Sequence, residues 1–208
     1  MDHAAFRPDV ETDLGDEDEL RRAPRFRLLI RAAKLITAHG EFVCVLRDIS
    51  STGVSVKLFH ALPDCKTVEL ELQCGDSYEM VRRWIRGREA GFEFTGSVNI
   101  DRLVSEISEF PKRGLRLGIQ FPLKVITLAG RCDAFAENLS QQGARIECDS
   151  LLAIDQSIRL EGGGLREIRA KVRWRSGSQY GVVFDDTFSL NDLALLAARM
   201  QCPQLLAE

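Results

Sequence analysis

The chain of 208 residues has room for one large domain or two small ones, since domains commonly hold about 100–150 residues. Hydrophobic residues make up 45% and charged residues 28%, a balance that excludes a wholly disordered protein. The longest apolar run, residues 193–198, is too short to span a membrane, and a net charge of -3 gives no support to general nucleic-acid binding.

The first 19 residues are strongly acidic. They hold eight Asp and Glu residues against a single base, Arg7, and have few large apolar residues to bury. We therefore predict a disordered acidic leader over residues 1–19, which either has no role or competes for the arginines that follow it. No signal-peptide pattern is present, and we expect a cytoplasmic protein.

The sequence repeats itself at an offset of 90 residues. Between positions 34 and 103, 15 residues are identical to those 90 positions later, whereas about four are expected from composition alone. The repeat includes both tryptophans, which pair as Arg83-Trp84 with Arg173-Trp174. We predict two related domains, a first repeat over residues 20–109 and a second repeat over residues 110–208.

Each repeat is predicted to be mostly β-strand and to end in a helix. Short apolar or alternating runs in the first repeat are separated by turn residues about every ten positions, as in a small barrel. Asn99 is a candidate N-cap for the first helix, Ser189 or Asn191 for the second, and Pro203 ends the second helix. The predicted fold class is mainly β, with two six-stranded barrels, each followed by a C-terminal helix. The predicted strands of the first repeat cover residues 28–36, 42–46, 54–58, 68–72, 80–85 and 91–94.

Metal and enzyme sites are not supported by the spacing of reactive residues. The six cysteines and three histidines form no C-x-x-C pair and no ligand set, so we expect reduced thiols, no metal site and no cofactor. No hydrolase or zinc-protease motif occurs, and Gly162-Gly163-Gly164 lacks the following Lys-Ser or Lys-Thr of a phosphate-binding loop. The chain is therefore predicted not to be an enzyme. Trp84 and Trp174, inside apolar runs, are predicted to be core or barrel-wall residues.

Two polar motifs in the first repeat are candidates for ligand binding. Arg21-Arg22-Ala23-Pro24-Arg25 offers guanidinium forks that suit phosphates and aromatic planes. In Asp48-x-Ser50-x-x-Gly53, the carboxylate can accept two parallel hydrogen bonds, and the glycine allows a positive φ and a close backbone approach. Taken singly, each motif is also compatible with a solvated loop or a common turn.

Together and in this order, the two motifs resemble the signature of the PilZ domain family, Arg-x-x-x-Arg followed by [Asp/Asn]-x-Ser-x-x-Gly. The resemblance spans about residues 20–107. The second repeat is similar through Asn138-x-Ser140-x-x-Gly143, but Lys112 stands where the first arginine is expected, while Arg116 is retained.

The resemblance implies a bacterial receptor for cyclic di-GMP (c-di-GMP) that signals to a protein partner by a conformational change. It implies that Arg21 and Arg25 hold phosphate and guanine, with Arg22 as a supporting charge. Asp48 would accept hydrogen bonds from the guanine N1–H and exocyclic amine, while the turn of Ser50 and Gly53 closes the floor of the site.

An alternative reading is a ligand-independent PilZ-like scaffold for motility or surface-structure machinery. We expect no DNA or RNA partner and no membrane insertion. The second repeat is expected to bind the ligand weakly or not at all, because Lys112 lacks the planar fork and Asn138 lacks the two-oxygen acceptor. We therefore expect the second repeat to have a structural role or to form a homodimer, with a second receptor site as the alternative.

Overall fold

The structure is a computed structural model that describes residues 26–105 and 114–207. The predicted leader and three of the predicted site residues, Arg21, Arg22 and Arg25, lie outside these ranges, as does Lys112.

The first repeat forms a closed antiparallel barrel in the order β1-β2-β3-β6-β5-β4, followed by a short helix. Its interior follows the period-two pattern of a strand with one buried face: Val54, Val56 and Leu58 are buried, whereas Lys57 between them is exposed. Its elements are β1 (Phe26–Thr37), β2 (Gly40–Ile49), β3 (Gly53–Leu58), β4 (Thr67–Glu71), β5 (Ser77–Arg86), β6 (Glu89–Phe94) and α1 (Ile100–Ser105).

The second repeat forms a sheet in the order β10-β13-β12-β11-β8-β9-β7, and β9 also pairs with β10. This extra pairing closes six of the strands into a second barrel, and β7 adds to β9 as a short strand that the sequence did not predict. The predicted fold class is confirmed. The elements are β7 (Arg116–Leu117), β8 (Phe121–Thr127), β9 (Gly130–Ser140), β10 (Gly143–Glu147), β11 (Ser157–Gly162), β12 (Leu165–Ser176), β13 (Gln179–Phe184), α2 (Leu190–Gln201) and a 3₁₀ turn (Pro203–Leu206).

Both helices begin at side-chain caps. The Asn99 Oδ1 atom accepts a hydrogen bond of 3.0 Å from the Arg102 N–H, as predicted. Of the two candidates in the second repeat, Ser189 is the cap, and its Oγ accepts from the Asp192 N–H at 3.1 Å. Each cap satisfies one of the N–H groups that a helix start leaves unpaired. Helix α2 ends at Gln201, just before Pro203 opens the 3₁₀ turn.

Strand β2 packs against both repeats, with one face buried in each hydrophobic core. Cys44 and Leu46 point into the first barrel, whereas Val43 belongs to the hydrophobic core of the second repeat, which includes α2. At the end of α2, the Gln201 side chain accepts from the Glu41 N–H at 2.8 Å and donates to the Glu41 carbonyl at 2.7 Å. Part of the hydrophobic core is therefore shared between repeats that the sequence separates cleanly.

Candidate functional site

The turn between β2 and β3 is held by the side chain of Ser50. Its Oγ accepts from the N–H of Gly53 at 3.2 Å and of Thr52 at 3.3 Å, and lies 3.2 Å from the Gly53 carbonyl oxygen, to which it donates. The Ser50 N–H also donates to that carbonyl at 2.8 Å. Because Ser50 is buried and its hydroxyl is used within the turn, it shapes the site and presents little of itself to a ligand.

Gly53 is needed for close packing. It is absent from the described glycines with positive φ, so of the two properties expected of this glycine the structure uses the close backbone approach. A Cβ at this position would overlap the carbonyl oxygen of Phe92 on β6, which lies directly beside it in the barrel. Glycine therefore lets the turn lie against the neighbouring strand.

The carboxylate of Asp48 is held in place by the strand beside it. The Ser55 Oγ donates to Asp48 Oδ2 at 3.1 Å and accepts from the Asp48 N–H at 3.2 Å. The Asp48 side chain remains partly exposed. A carboxylate accepts hydrogen bonds at about four lone-pair positions.

These residues line an open cavity with a volume of about 330 Å³, which we term the first hollow. It brings the three described residues of the predicted motif together with side chains from β5 and β6. The first hollow is lined by Asp48, Ile49, Ser50, Thr52, Gly53, Val54, Ser55, Arg83, Trp84, Gly91, Phe92 and Glu93.

Trp84 and Trp174 lie on the barrel strands β5 and β12, but the alternative prediction that they are core residues is wrong. The two tryptophans are 39% and 41% exposed, and each forms part of a hollow. The register of β5 against β6 shifts between Arg82 and Trp84, an irregularity that breaks the alternation of inward and outward side chains. The Trp84 indole lies directly over Gly91, where a Cβ would overlap its Nε1. The Arg86 guanidinium also lies over the Trp84 ring, 5.6 Å from its centroid.

Arg83 and Glu93 also lie in the first hollow and were missed as site residues. The Arg83 Nε donates to Glu93 Oε2 at 2.6 Å, and both side chains are at least half exposed. Their hydrogen bond raises the pKa of the Arg83 guanidinium. The signal for this part of the site was the Arg-Trp pair, which recurs at the 90-residue offset.

The second repeat has a matching open cavity with a volume of about 360 Å³, which we term the second hollow. Ser140 again closes the turn, with its Oγ donating to the Gly143 carbonyl at 2.9 Å, and Trp174 again lies over a glycine, Gly181. Asn138 and Arg116 line this hollow as well. The turn of the second repeat thus has the predicted shape. Of the residues predicted to match the family signature in this repeat, Arg116, Asn138, Ser140 and Gly143 are described by the structure and Lys112 is not.

Strand β1 is paired with the end of β2 that carries Asp48. Strand β1 begins at Phe26, whose Cα partner on β2 is Ile49, and Arg27 is paired with Asp48.

Neither a metal cluster nor a membrane span is found in the part of the chain that the structure describes. Within residues 26–105 and 114–207, no three His, Cys, Asp or Glu side chains group to hold a metal ion. No helix in those ranges has the length and apolar character needed to cross a membrane.

Two six-stranded barrels, each with a terminal helix and a hollow beside a serine-closed turn, define a tandem β-barrel protein. The chain belongs to the PilZ domain family, whose family model matches residues 19–107 and 111–200. Among curated proteins, none matches the chain.

Three solved structures are similar in fold to this chain. Borreliella burgdorferi PlzA, solved in complex with c-di-GMP, is 10% identical with a TM-score of 0.32, covering 86% of this chain and 94% of PlzA. The Bacillus subtilis inhibitor of motility, MotI/DgrA, is 14% identical with a TM-score of 0.35, covering 86% of this chain and 100% of MotI. MrkH of K. pneumonia is 11% identical with a TM-score of 0.33, covering 84% of this chain and 85% of MrkH. Family membership rests on the family model.

Proposed function

We propose that this chain is a cytoplasmic receptor, not an enzyme, that binds cyclic di-GMP at the first hollow and signals to a protein partner by a conformational change. The observation that carries the proposal is the shared hollow of the Asp48 carboxylate, the Ser50-closed turn and the exposed Trp84 ring. Membership of the PilZ domain family supports the choice of ligand.

The chemistry of the first hollow suits one guanine base. Asp48 is positioned by Ser55 and can accept from the guanine N1–H and exocyclic amine, two donors that lie side by side on one edge of the base. Trp84 offers a ring face, and stacking of a base on an aromatic side chain stabilises binding by about 1–3 kcal/mol.

The phosphates of the ligand are assigned to Arg21 and Arg25, with Arg22 adding charge. Guanidinium groups bind phosphate through two parallel hydrogen bonds and also pair with the edge of guanine. The support is the register of β1, which starts one residue after Arg25 and runs beside Asp48.

The route for a signal is proposed to run through β2. This strand ends next to Asp48 and also carries Val43, which packs in the core of the second repeat. A ligand that orders the start of β1 and the end of β2 would act on the contact between the repeats.

Calorimetric titration of the full chain with cyclic di-GMP tests the proposal. Arg21→Ala and Arg25→Ala should each weaken binding at least about tenfold, because a hydrogen bond to a charged group contributes about 1.5–3 kcal/mol. Arg131→Ala, which removes an exposed arginine of β9, is the matched control and should bind as the wild type does. An absence of binding in the wild type would favour the ligand-independent scaffold, and unchanged affinity in both variants would refute the site.

A further inference from the structure

Two cysteines of the second repeat hold their sulfur atoms in contact. Cys132 lies on β9, Cys148 follows the last residue of β10, and their Sγ atoms are 3.5 Å apart. All six cysteines of the chain are free thiols. Among the described residues, which include all six, no other two sulfur atoms are hydrogen-bonded to each other. This contact sets the pair apart from the remaining four cysteines.

The pairing of β9 with β10 brings the two thiols to the same face of the sheet. Glu147 is the Cα partner of Phe135, and continuing this register places Cys148 opposite Ala134, two residues from Cys132. Side chains two residues apart on a strand share a face, and diagonal neighbours on paired strands lie within reach of each other. A disulfide has an S–S distance of about 2.05 Å, so closing one here requires an approach of about 1.5 Å.

The equivalent positions of the first repeat hold no sulfur. At the 90-residue offset, Cys132 corresponds to Phe42 and Cys148 to Leu58, and both of these side chains are buried. A free cysteine in a core packs as a small hydrophobic residue, and its distinctive property is its reactivity. The wall of this barrel is therefore packed without thiols in one repeat and with two thiols in contact in the other.

The two thiols differ in their access to solvent. Cys132 is partly exposed, two residues after the start of β9, and its Sγ lies 3.6 Å from the Val125 carbonyl oxygen. Cys148 is only 2% exposed. Burial raises the pKa of the Cys148 thiol and the sulfur of Cys132 raises it further, against a lowering by hydrogen bonds with Ser150. Because oxidation requires thiolate character and access, Cys132 is the thiol that an oxidant in solution reaches first.

We propose that Cys132 and Cys148 form a redox-active dithiol, which a hydroperoxide oxidises to a disulfide and a thiol reductant restores. The Cys132 thiolate attacks one peroxide oxygen and breaks the O–O bond, which gives a sulfenic acid, while the leaving oxygen takes up a proton. The Cys148 sulfur then attacks the sulfenic sulfur, and the S–O bond breaks. The hydroxide released combines with the Cys148 proton as water. Each sulfur loses one electron, and the peroxide gains both.

The disulfide ties β9 to the residue that follows β10. Both cysteines pack in the hydrophobic core of the second repeat, which also contains Val43 of the first. A cross-link between residues 132 and 148 restricts the unfolded chain and should therefore stabilise the folded one. This inference goes beyond the proposed receptor function and does not depend on ligand binding.

The test treats the full native chain with hydrogen peroxide and maps the thiols by proteolysis and mass spectrometry. A peptide cross-linked through Cys132 and Cys148 should form, and dithiothreitol should remove it. The oxidised chain should unfold at a higher urea concentration than the reduced chain. Cys132→Ser and Cys148→Ala should each abolish the cross-link and the shift in the urea midpoint. Cys202→Ser, which changes a partly exposed cysteine outside the pair, is the matched control and should retain both.

Four results would overturn the proposal, and all four are read on the wild-type chain. The first is oxidation of Cys132 to sulfinic acid without a cross-link, which would show that Cys148 does not react with the sulfenic acid. The second is a disulfide that joins either cysteine to one of the other four. The third is a cross-link that forms only in urea, after the chain has unfolded. The fourth is a cross-linked chain whose urea midpoint equals that of the reduced chain. Because none of these measurements uses cyclic di-GMP, their outcome is independent of the titration that tests the receptor function.

Discussion

The backbone N–H of Gly118 in the second repeat donates a hydrogen bond of 2.6 Å to the carboxylate of Glu41 in the first. The same carboxylate lies 3.0 Å from the ammonium of Lys34, which also pairs with Glu71 at 3.1 Å. Burial lowers the pKa of Lys34, but the hydrogen bonds and charges of the two glutamates outweigh it, so the pKa is raised overall. Glu41 thus contributes one of the two ion pairs of a buried cation and also a contact between the repeats.

Replacement of Glu41 by alanine should destabilise the chain by about 2 kcal/mol or more, because breaking a buried ion pair leaves an incompletely compensated charge. The free energy of unfolding in urea measures the effect. Lys124, the equivalent of Lys34 in the second repeat, pairs with Asp133 on the surface, where both side chains are more than half exposed. Asp133→Ala is therefore the matched control and should cost at most about 1 kcal/mol. Equal costs would mean that the Glu41 contacts do not hold the repeats together.

Alanine at Gly91 should displace Trp84 and weaken cyclic di-GMP binding. The added Cβ overlaps the indole ring, which must move out of the first hollow. Gly96→Ala is the matched control, since a Cβ there meets no atom within 4 Å. The position of the tryptophan emission maximum and the binding affinity should both change in the first variant only. Wild-type emission and affinity in Gly91→Ala would show that the Trp84 ring plays no part.

Much of this fold could be predicted from the sequence because its strands alternate and its repeats match. Residues 54–58 show the period of two that a barrel wall requires, and Asn99 precedes a helical spacing of apolar residues. The Asp-x-Ser-x-x-Gly turn was identified because its chemistry is local, with Ser50 bonded to residues within three positions of itself.

The missed features depend on contacts far apart in the sequence. In the sequence, Val43 looks like any apolar residue of a barrel strand. Its contact with the core of the second repeat shows that β2 is buried on both faces. Trp84 is a large apolar residue inside an apolar run, as a core residue would be, and its side chain is exposed beside a register shift. Gly53 is glycine because of Phe92, 39 positions later, rather than because of its own φ.

Because the ring of His60 is buried, we predict that the free energy of unfolding falls in mild acid. Its Nδ1 lies 2.7 Å from the Ala61 carbonyl oxygen, its Nε2 has no partner among the described residues, and its ring packs against Phe42 at 5.1 Å. Burial lowers the pKa of His60, and the nearby charge of Arg88 lowers it further, while the bond to Ala61 opposes them. The folded state therefore favours the neutral ring. This contribution to stability is complete above the unfolded pKa of about 6.5 and is lost as the pH falls below it.

Urea denaturation at a series of pH values checks this expectation. Between pH of about 7.5 and 5.5, the wild type should lose more stability than His60→Gln, which keeps an N–H donor but does not titrate in this range. His39→Gln, in the exposed turn between β1 and β2, is the matched control and should keep the wild-type slope. Parallel slopes for the wild type and His60→Gln would contradict the assignment.

The most direct test of the central claim is calorimetric titration of cyclic di-GMP into the full chain and into Asp48→Ala and Asn138→Ala. The full chain is required because Val43 of the first repeat lies in the core of the second, so the repeats are not independent. Loss of the Asp48 carboxylate should weaken binding at least about tenfold, whereas Asn138→Ala should leave the affinity within about threefold of the wild type. Unchanged binding in Asp48→Ala together with a loss in Asn138→Ala would place the receptor site in the second repeat and contradict the account.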